Sequence, residues 1–279
     1  MVNGVEVRDA ATVMLVRDGD AGLEVFMLRR TLNADFVGGA YVFPGGAVDD
    51  ADRHSDLEPV CEGRTDVEAS TLLGVASGGL AYWVAAIREC FEEAGVLLAH
   101  RDDGEIVHLT DPDIAERFAR HRTAVHSGER RLVEVCGEER LRLAVGTMHY
   151  FSHWITPEGA PRRYDTRFFV TAAPAEQTPL HDDRETIANL WTRPADALER
   201  YRGGDFDLVF PTFKSLETIS RFDRAADLLD AARAAGQPPL VQPRVVLDER
   251  GVRILLPGDP GYDEASPPSG GVVLPVRPD

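Results

Sequence analysis

The chain has 279 residues, of which 43% are apolar and 28% charged. That composition belongs to a folded globular chain and excludes collagen-like, fibrous or wholly disordered architectures, and the length suits one large domain or two small ones. Thirty Lys and Arg stand against 47 Asp and Glu, a formal net charge of −17, which disfavours nucleic-acid backbone and anionic lipid as partners. Such acidity suits a protein that gathers divalent cations, although solubility alone accounts for it as well. Cys61, Cys90 and Cys136 form no CxxC pair, which argues against a disulfide scaffold or structural zinc and fits a reducing cytoplasm. No basic segment followed by an apolar core opens the sequence, and no apolar run approaches the ~20 residues of a membrane span. The expectation is a cytoplasmic protein with no membrane partner.

Residues 10–17 and 23–30 are apolar and β-prone, and the segment DGDAG between them predicts a hairpin. Residues 40–46 read as a strand ending in a Pro-Gly-Gly turn. From Ala47 to about Gly79 the chain is acidic and irregular, an inserted loop with a short helix. Leu80 to Ala94 is rich in helix formers, and Gly95 stands where a helix commonly closes. Val96 to Ala99 reads as the next strand. Two helices are expected within 111–142, the first capped by Asp111 before Pro112, with Gly128 near their junction. Residues 143–156, 164–173 and 190–192 read as strands. Thr212 is the expected cap of one helix from Phe213 to Ala235, stopped by Gly236. A terminal hairpin turning at DERG and a Pro/Gly-rich tail follow. No internal repeat, GxGxxG or Walker loop is present.

Chemistry concentrates in Arg88-Glu89-Cys90-Phe91-Glu92-Glu93-Ala94-Gly95-Val96. On a helix Glu89, Glu92 and Glu93 stand at i, i+3 and i+4 and share one face, within reach of one small object. Unpaired, three such carboxylates repel; a hard divalent cation such as magnesium or manganese turns the repulsion into binding. Glu-rich faces are more often simply solvated. Here, however, Arg88 adjoins the cluster as a fixed fork, and the upstream strand runs into Phe43-Pro44-Gly45-Gly46, whose glycines let backbone approach a ligand closely.

These two segments resemble the Nudix box, G-x5-E-x7-R-E-U-x-E-E-x-G-U with U a bulky apolar residue. Arg88 to Val96 match its second half, with Cys90 in a U position, and Gly46 matches the start. Asp52 stands where the family has Glu, and 35 residues (53–87) replace a spacer of seven. Such an interruption resembles the subgroup similar to the peroxisomal coenzyme A diphosphatase, as do Tyr41–Gly46, Ala85–Leu98, Trp154–Pro157, Tyr164–Phe169 and Pro211–Leu216. The resemblance implies a Nudix-type α/β/α sandwich with a mixed β-sheet, at residues 1–235 with an insertion at about 53–79, and a C-terminal extension at 236–279. It implies hydrolysis of a nucleoside diphosphate linked to another moiety, with Mg2+ or Mn2+ bridging the diphosphate. Carried over by motif position, Glu92 and Glu93 are the principal metal ligands, Glu89 a ligand or the base, the Gly45 carbonyl a further ligand, and Arg88 with Asp52 the supporting ion pair.

A further carboxylate from a later loop is expected, with Glu185 the first candidate and Asp182, Asp183 and Glu158 behind it. Arg29, Arg30, Arg162, Arg163 and Arg167 are candidate phosphate contacts, but neighbours on a strand face opposite ways, so at most one of Arg29 and Arg30 meets the site. Tyr41, Phe36 and Trp154 are candidate base-stacking rings, with core packing the stronger reading. His149 and His153 read as structural strand residues, and Cys90 as a small buried apolar one. Coenzyme A is the first substrate guess. The stretch NADFVGGAYVFPGG lacks the Arg and Gly-Glu pair of the usual bacterial coenzyme A signature, which leaves dinucleotides, nucleotide sugars and ADP-ribose open. The alternatives are a catalytically inactive Nudix-fold binding module, although such proteins usually lose the helix glutamates, and an interaction protein using the C-terminal hairpin and tail. That tail is also a candidate homodimer contact.

Overall fold

The computed structural model describes residues 5–32, 38–182, 184–248 and 251–265. The chain runs β1 (Val7–Gly19), β2 (Gly22–Arg30), β3 (Tyr41–Val42), β4 (Gly45–Ala47), α1 (Asp66–Leu73), α2 (Leu80–Ala94) and β5 (Ala99–His100). It continues through α3 (Pro112–His126), α4 (Leu132–Glu139), β6 (Arg142–Leu143), β7 (His149–Ile155), β8 (Arg163–Ala172) and β9 (Thr186–Thr192). It then forms α5 (Pro194–Gly203), α6 (Phe210–Ile219), α7 (Ala225–Ala235), β10 (Leu240–Val241), β11 (Arg244–Asp248) and β12 (Gly251–Leu255).

The main sheet has the order β10-β7-β8-β1-β2-β3, with β4 also paired to β1 and β9 to β2. The β1–β8 and β10–β7 pairs are parallel and the remaining pairs antiparallel. Because β1 and β2 are apolar on both sides, each feeds two cores. Ala11, Val13, Leu15, Phe26 and Leu28 face a layer built from α1 to α4. Met14, Val16, Leu23, Val25 and Met27 face α5, α6 and α7. This alternation is the period of two of a strand buried on both faces, and it yields the expected α/β/α sandwich with a mixed sheet. On α2, Trp83, Ile87 and Phe91 are fully buried against the first face; Ile87 and Phe91 each contribute roughly 1.5–3 kcal/mol by leaving water.

Several elements differ from the sequence reading. The 40–46 strand breaks at Phe43–Pro44, so that β3 pairs β2 and β4 pairs β1. Pro44 has no N–H for a ladder, and its carbonyl accepts from Val13 N at 2.9 Å. Residues 96–98 are not a strand; β5 begins at Ala99 and pairs β6 in a separate two-stranded sheet. The single helix expected from Phe213 to Ala235 is two, α6 and α7. The β1–β2 hairpin pins the break: Leu23 N donates to Asp223 O at 2.9 Å, and Ala225 N to Asp18 Oδ1 at 2.7 Å. Thr212 is not a cap; it lies inside α6 and is buried, with Val209 at the N-cap. Helix α5 was not anticipated, although Pro194 at its start and Gly204 in the left-handed conformation after it are ordinary helix punctuation. The terminal hairpin is β11–β12; its turn residues 249–250, the tail from 266, Phe36 and Asp183 lie outside the described residues.

Candidate active site

Helix α2 is fastened at both ends by segments outside its own sequence. Within the insertion, α1 carries a capping box between Thr65 and Glu68. Its Asp66 carboxylate accepts from Gly78 N and Leu80 N, each at 3.0 Å, and Ser70 Oγ accepts from Gly79 N at 2.9 Å. Gly79 N and Leu80 N are among the donors that a helix N-terminus leaves unsatisfied. Gly79 is required here, because a Cβ would overlap the Ser70 backbone. At the other end Gly95 closes the helix with φ 67.

The last turns of α2 meet the β4 corner. Gly45 N donates to Glu93 Oε2 at 2.9 Å. A Cβ on Gly46 would overlap the Glu89 carboxylate, and one on Gly45 would overlap β1 at Ala11 and Thr12. The two glycines therefore let the sheet edge and the acidic helix touch. Arg88 fills the adjoining space. Its Nε and Nη2 form a bidentate pair with Asp52, both at 2.9 Å, and Nη2 also donates to Ala47 O at 2.9 Å. Nη1 donates to Glu89 at 2.8 Å and to Glu92 at 3.1 Å. Although Asp is one methylene shorter than Glu, Asp52 reaches Arg88 because it sits, buried, on a 3-10 turn (Asp50–Arg53) where the Asp49 N–H also donates to its Oδ2 at 2.9 Å.

Three carboxylates, Asp52, Glu89 and Glu92, thus hold one guanidinium, and Glu93 stands at the adjoining Gly45 N–H. Burial pushes the Glu89 carboxyl up to about 7, with Arg88 opposing and the charges of Glu92 and Asp52 adding. Burial likewise raises Glu93 well above the ordinary carboxylate range; Glu89 and Glu185 add to this, while the Gly45 N–H and Arg30 oppose it. Burial works against the charge of Arg88, but its carboxylate partners outweigh this and hold it firmly protonated. Buried carboxylates that retain protons for want of positive charge are the condition a hard cation relieves, and an all-oxygen donor set suits Mg2+ or Mn2+. The donor chemistry therefore fits such an ion. Their oxygens do not gather at one point as the helical spacing predicts. Glu93 turns to Gly45, Glu89 and Glu92 share Arg88 Nη1, and Glu92 Oε2 lies 3.3 Å from His126 Nδ1 of α3. Glu89 and Glu93 are the pair at the glycine corner, and Glu92 lies on the flank. That flank opens into a cavity of about 200 Å³, lined among others by Arg88, Glu92, His126 and Arg130.

The remaining candidates separate cleanly. Arg30 and Glu185 both bring their charges to bear on Glu93. The Glu185 backbone is tied to β2 by Thr31 N donating to its carbonyl at 2.9 Å. Arg29 lies apart from Arg30: its guanidinium is over Tyr41 and donates to Gly39 O at 3.2 Å. Asp182 folds the preceding turn, accepting from Arg184 N, Glu185 N and Thr186 N. Burial opposes its charge, but these donors hold its carboxyl below the ordinary value. Glu158 is exposed in the β7–β8 turn. Arg167 is buried against Asp165, His153 and the Tyr82 ring, and Arg163 donates to Thr156 O. Tyr41 stacks on Phe206 and is half-buried against the core, and Trp154, which is buried, meets Phe210 edge-on. Burial raises the Cys90 thiol far above neutrality, which makes it inert. Nothing in the sequence distinguishes His126, Arg122 or Gln177 from solvated side chains.

The sequence model of the NUDT19 Nudix domain matches residues 68–219, more than half of the chain. The chain belongs to this Nudix hydrolase family. It is 28% identical over 273 residues to the acyl-coenzyme A diphosphatase NUDT19 of Xenopus laevis, covering 86% of this chain and 72% of that one. It is also 28% identical over 277 residues to the Homo sapiens protein of the same name, covering 88% and 74%. Among solved structures, a NUDIX hydrolase from Alicyclobacillus acidocaldarius superposes with a TM-score of 0.66 at 26% identity, over 81% of this chain and 96% of the other. Among the described residues, no helix is long and apolar enough to cross a membrane.

Proposed function

We propose that this Nudix chain hydrolyses the diphosphate of a coenzyme A-type substrate, using Mg2+ or Mn2+ held at the glycine corner. The observation that carries this reading is the gathering of Asp52, Glu89 and Glu92 on Arg88, with Glu93 held by the Gly45 N–H and Glu89 pressed against Gly46. The NUDT19 relatives, named as acyl-coenzyme A diphosphatases, support the substrate class.

Divalent cations held there would cancel diphosphate charge and favour water as the nucleophile. Water adds to one phosphorus, the bridging P–O bond breaks, and two phosphate monoesters leave. Glu93, fixed by the Gly45 N–H, and Glu89 supply the hard oxygens. Glu89 is alternatively the base that takes a proton from the attacking water. Arg88 holds Glu89 in place, and the Asp52 fork holds Arg88. Arg30 offers positive charge for a phosphate oxygen, and Glu185 is the loop carboxylate nearest in effect to Glu93.

The test is a panel of coenzyme A, an acyl-coenzyme A, NADH, ADP-ribose and a nucleotide sugar, incubated with MgCl2 or MnCl2 and resolved by chromatography. The expected result is cleavage of the coenzyme A compounds, abolished in Glu93→Gln with the fold intact. Tight nucleotide binding without cleavage of any diphosphate would establish the inactive module instead.

A further inference from the structure

The carboxylates whose charges bear on one another at Glu93 come from two parts of the chain. Glu89 and Glu93 ride on α2, and Glu185 on the segment between β8 and β9. Something has to fix the distance between these parts, and one side chain touches both. Arg122 of α3 donates from Nε to Glu92 O at 2.9 Å, and from Nη2 to Glu93 O at 2.9 Å and to Leu180 O at 3.0 Å. Two of these acceptors are among the last carbonyls of α2, which have no partner within the helix; positive charge there also complements the helix dipole. The third belongs to the segment leading to Glu185. That segment is further held by Leu180 N donating to Ala94 O at 2.9 Å, and by buried Gln177, which accepts from Leu97 N and donates to Leu97 O, both at 2.9 Å. Gly95 belongs to the same arrangement, because a Cβ there would come within 3.0 Å of the Arg122 guanidinium.

We propose that Arg122 is a positioning residue for the hydrolytic site, whose planar fork sets the approach of the Glu185 segment to Glu93. A Lys at this position keeps the charge but not three donors in a fixed plane. The inference rests on the hydrolase reading above, and its test separates the two.

Arg122→Lys and Arg122→Ala are compared with wild type and with Arg120→Ala, which removes only an exposed ion pair of the same helix. Mn2+ uptake is read by calorimetry, kcat and KM on the cleaved coenzyme A compound, and folding by thermal melting. Expected is a rise in the Mn2+ dissociation constant and a fall in kcat on the order of 10–100-fold in the Arg122 variants, with KM within about twofold. Added methylguanidinium should restore part of both to Arg122→Ala, a rescue that general loosening of the fold would not give. Should Arg122→Ala fail to fold, Arg122→Lys decides on the same readouts. Mn2+ affinity and kcat within twofold of wild type, or losses that follow the melting temperature and resist methylguanidinium, would overturn the proposal. If wild type lacks turnover, the calorimetry still decides it. Absence of both turnover and Mn2+ uptake in wild type would instead overturn the hydrolase reading and this inference with it.

Discussion

Helix α3 serves two acidic groups with two stripes of side chains, and the two groups are held in opposite ways. Arg117 and His121, one turn apart, reach the Glu139 carboxylate at 2.7 and 3.0 Å, and Arg130 pairs with Glu138 and with the other nitrogen of His121. Arg122 and His126, again one turn apart, reach the end of α2. At Glu139 burial opposes the charge, but Arg117 and His121 outweigh it and hold the carboxyl below its ordinary value. At Glu89 and Glu93 burial wins and the carboxyls are raised. His121, Glu138 and Glu139 are the tighter cluster by distance, with ligand atoms within 4.8 Å of one another. A cation there would first have to displace two arginines. Where the chain supplies its own positive charge the carboxylates are structural; where it leaves them short, they retain capacity for a ligand.

The largest test of this contrast is a pair of isosteric changes. Glu93→Gln should lower turnover on the order of 10³-fold, the scale of losing a preorganised electrostatic group, with the melting temperature unchanged or raised. Glu139→Gln should keep turnover within about twofold and cost about 1–3 kcal/mol of stability by denaturant unfolding, because Arg117 and His121 lose a charged partner. Equal loss of turnover in both would dissolve the distinction. Next in size, Asp52→Asn loosens the Arg88 fork and should cost about 10–100-fold in activity or Mn2+ affinity. Unchanged kinetics would mean that Ala47 O, Glu89 and Glu92 suffice to hold Arg88.

The smallest effect is on pH. Raised carboxyls at Glu89 and Glu93 stabilise the metal-free fold fully below about 4.5, and that contribution is lost as pH climbs through about 7 for Glu89. The depressed Glu139 acts in reverse: its contribution is present above about 4.5 and lost as pH falls through its folded value. Melting curves in EDTA should therefore decline from pH 5 to pH 8. Saturating Mn2+ should flatten that decline, by about 2.7 kcal/mol at a hundredfold excess over the dissociation constant. An identical pH profile with and without Mn2+ would contradict it.

Much of this was legible in the sequence because the relevant physics is local. The i, i+3, i+4 glutamates, the closing Gly95, the Asp111 cap and the β1–β2 hairpin each depend on a few consecutive residues, and all are present as expected. What was not legible depends on distant partners. Helices α6 and α7 part because Leu23 and Asp18 of the hairpin bind the break. Glu92 leaves the common carboxylate face because Arg88 and His126 claim it. Arg29 and Arg30 look alike in one dimension, and only the pleat assigns Arg30 to the α2 face. The long interruption of the motif proves to be a brace, since its Asp66 and Ser70 cap the N-terminus of α2.

The most direct measurement is anomalous scattering from a crystal of the protein soaked in MnCl2. The account requires a manganese peak in contact with the Glu89 and Glu93 oxygens beside Gly45. A peak seated instead between His121 and Glu139, or none at the glycine corner under saturating Mn2+, would contradict it.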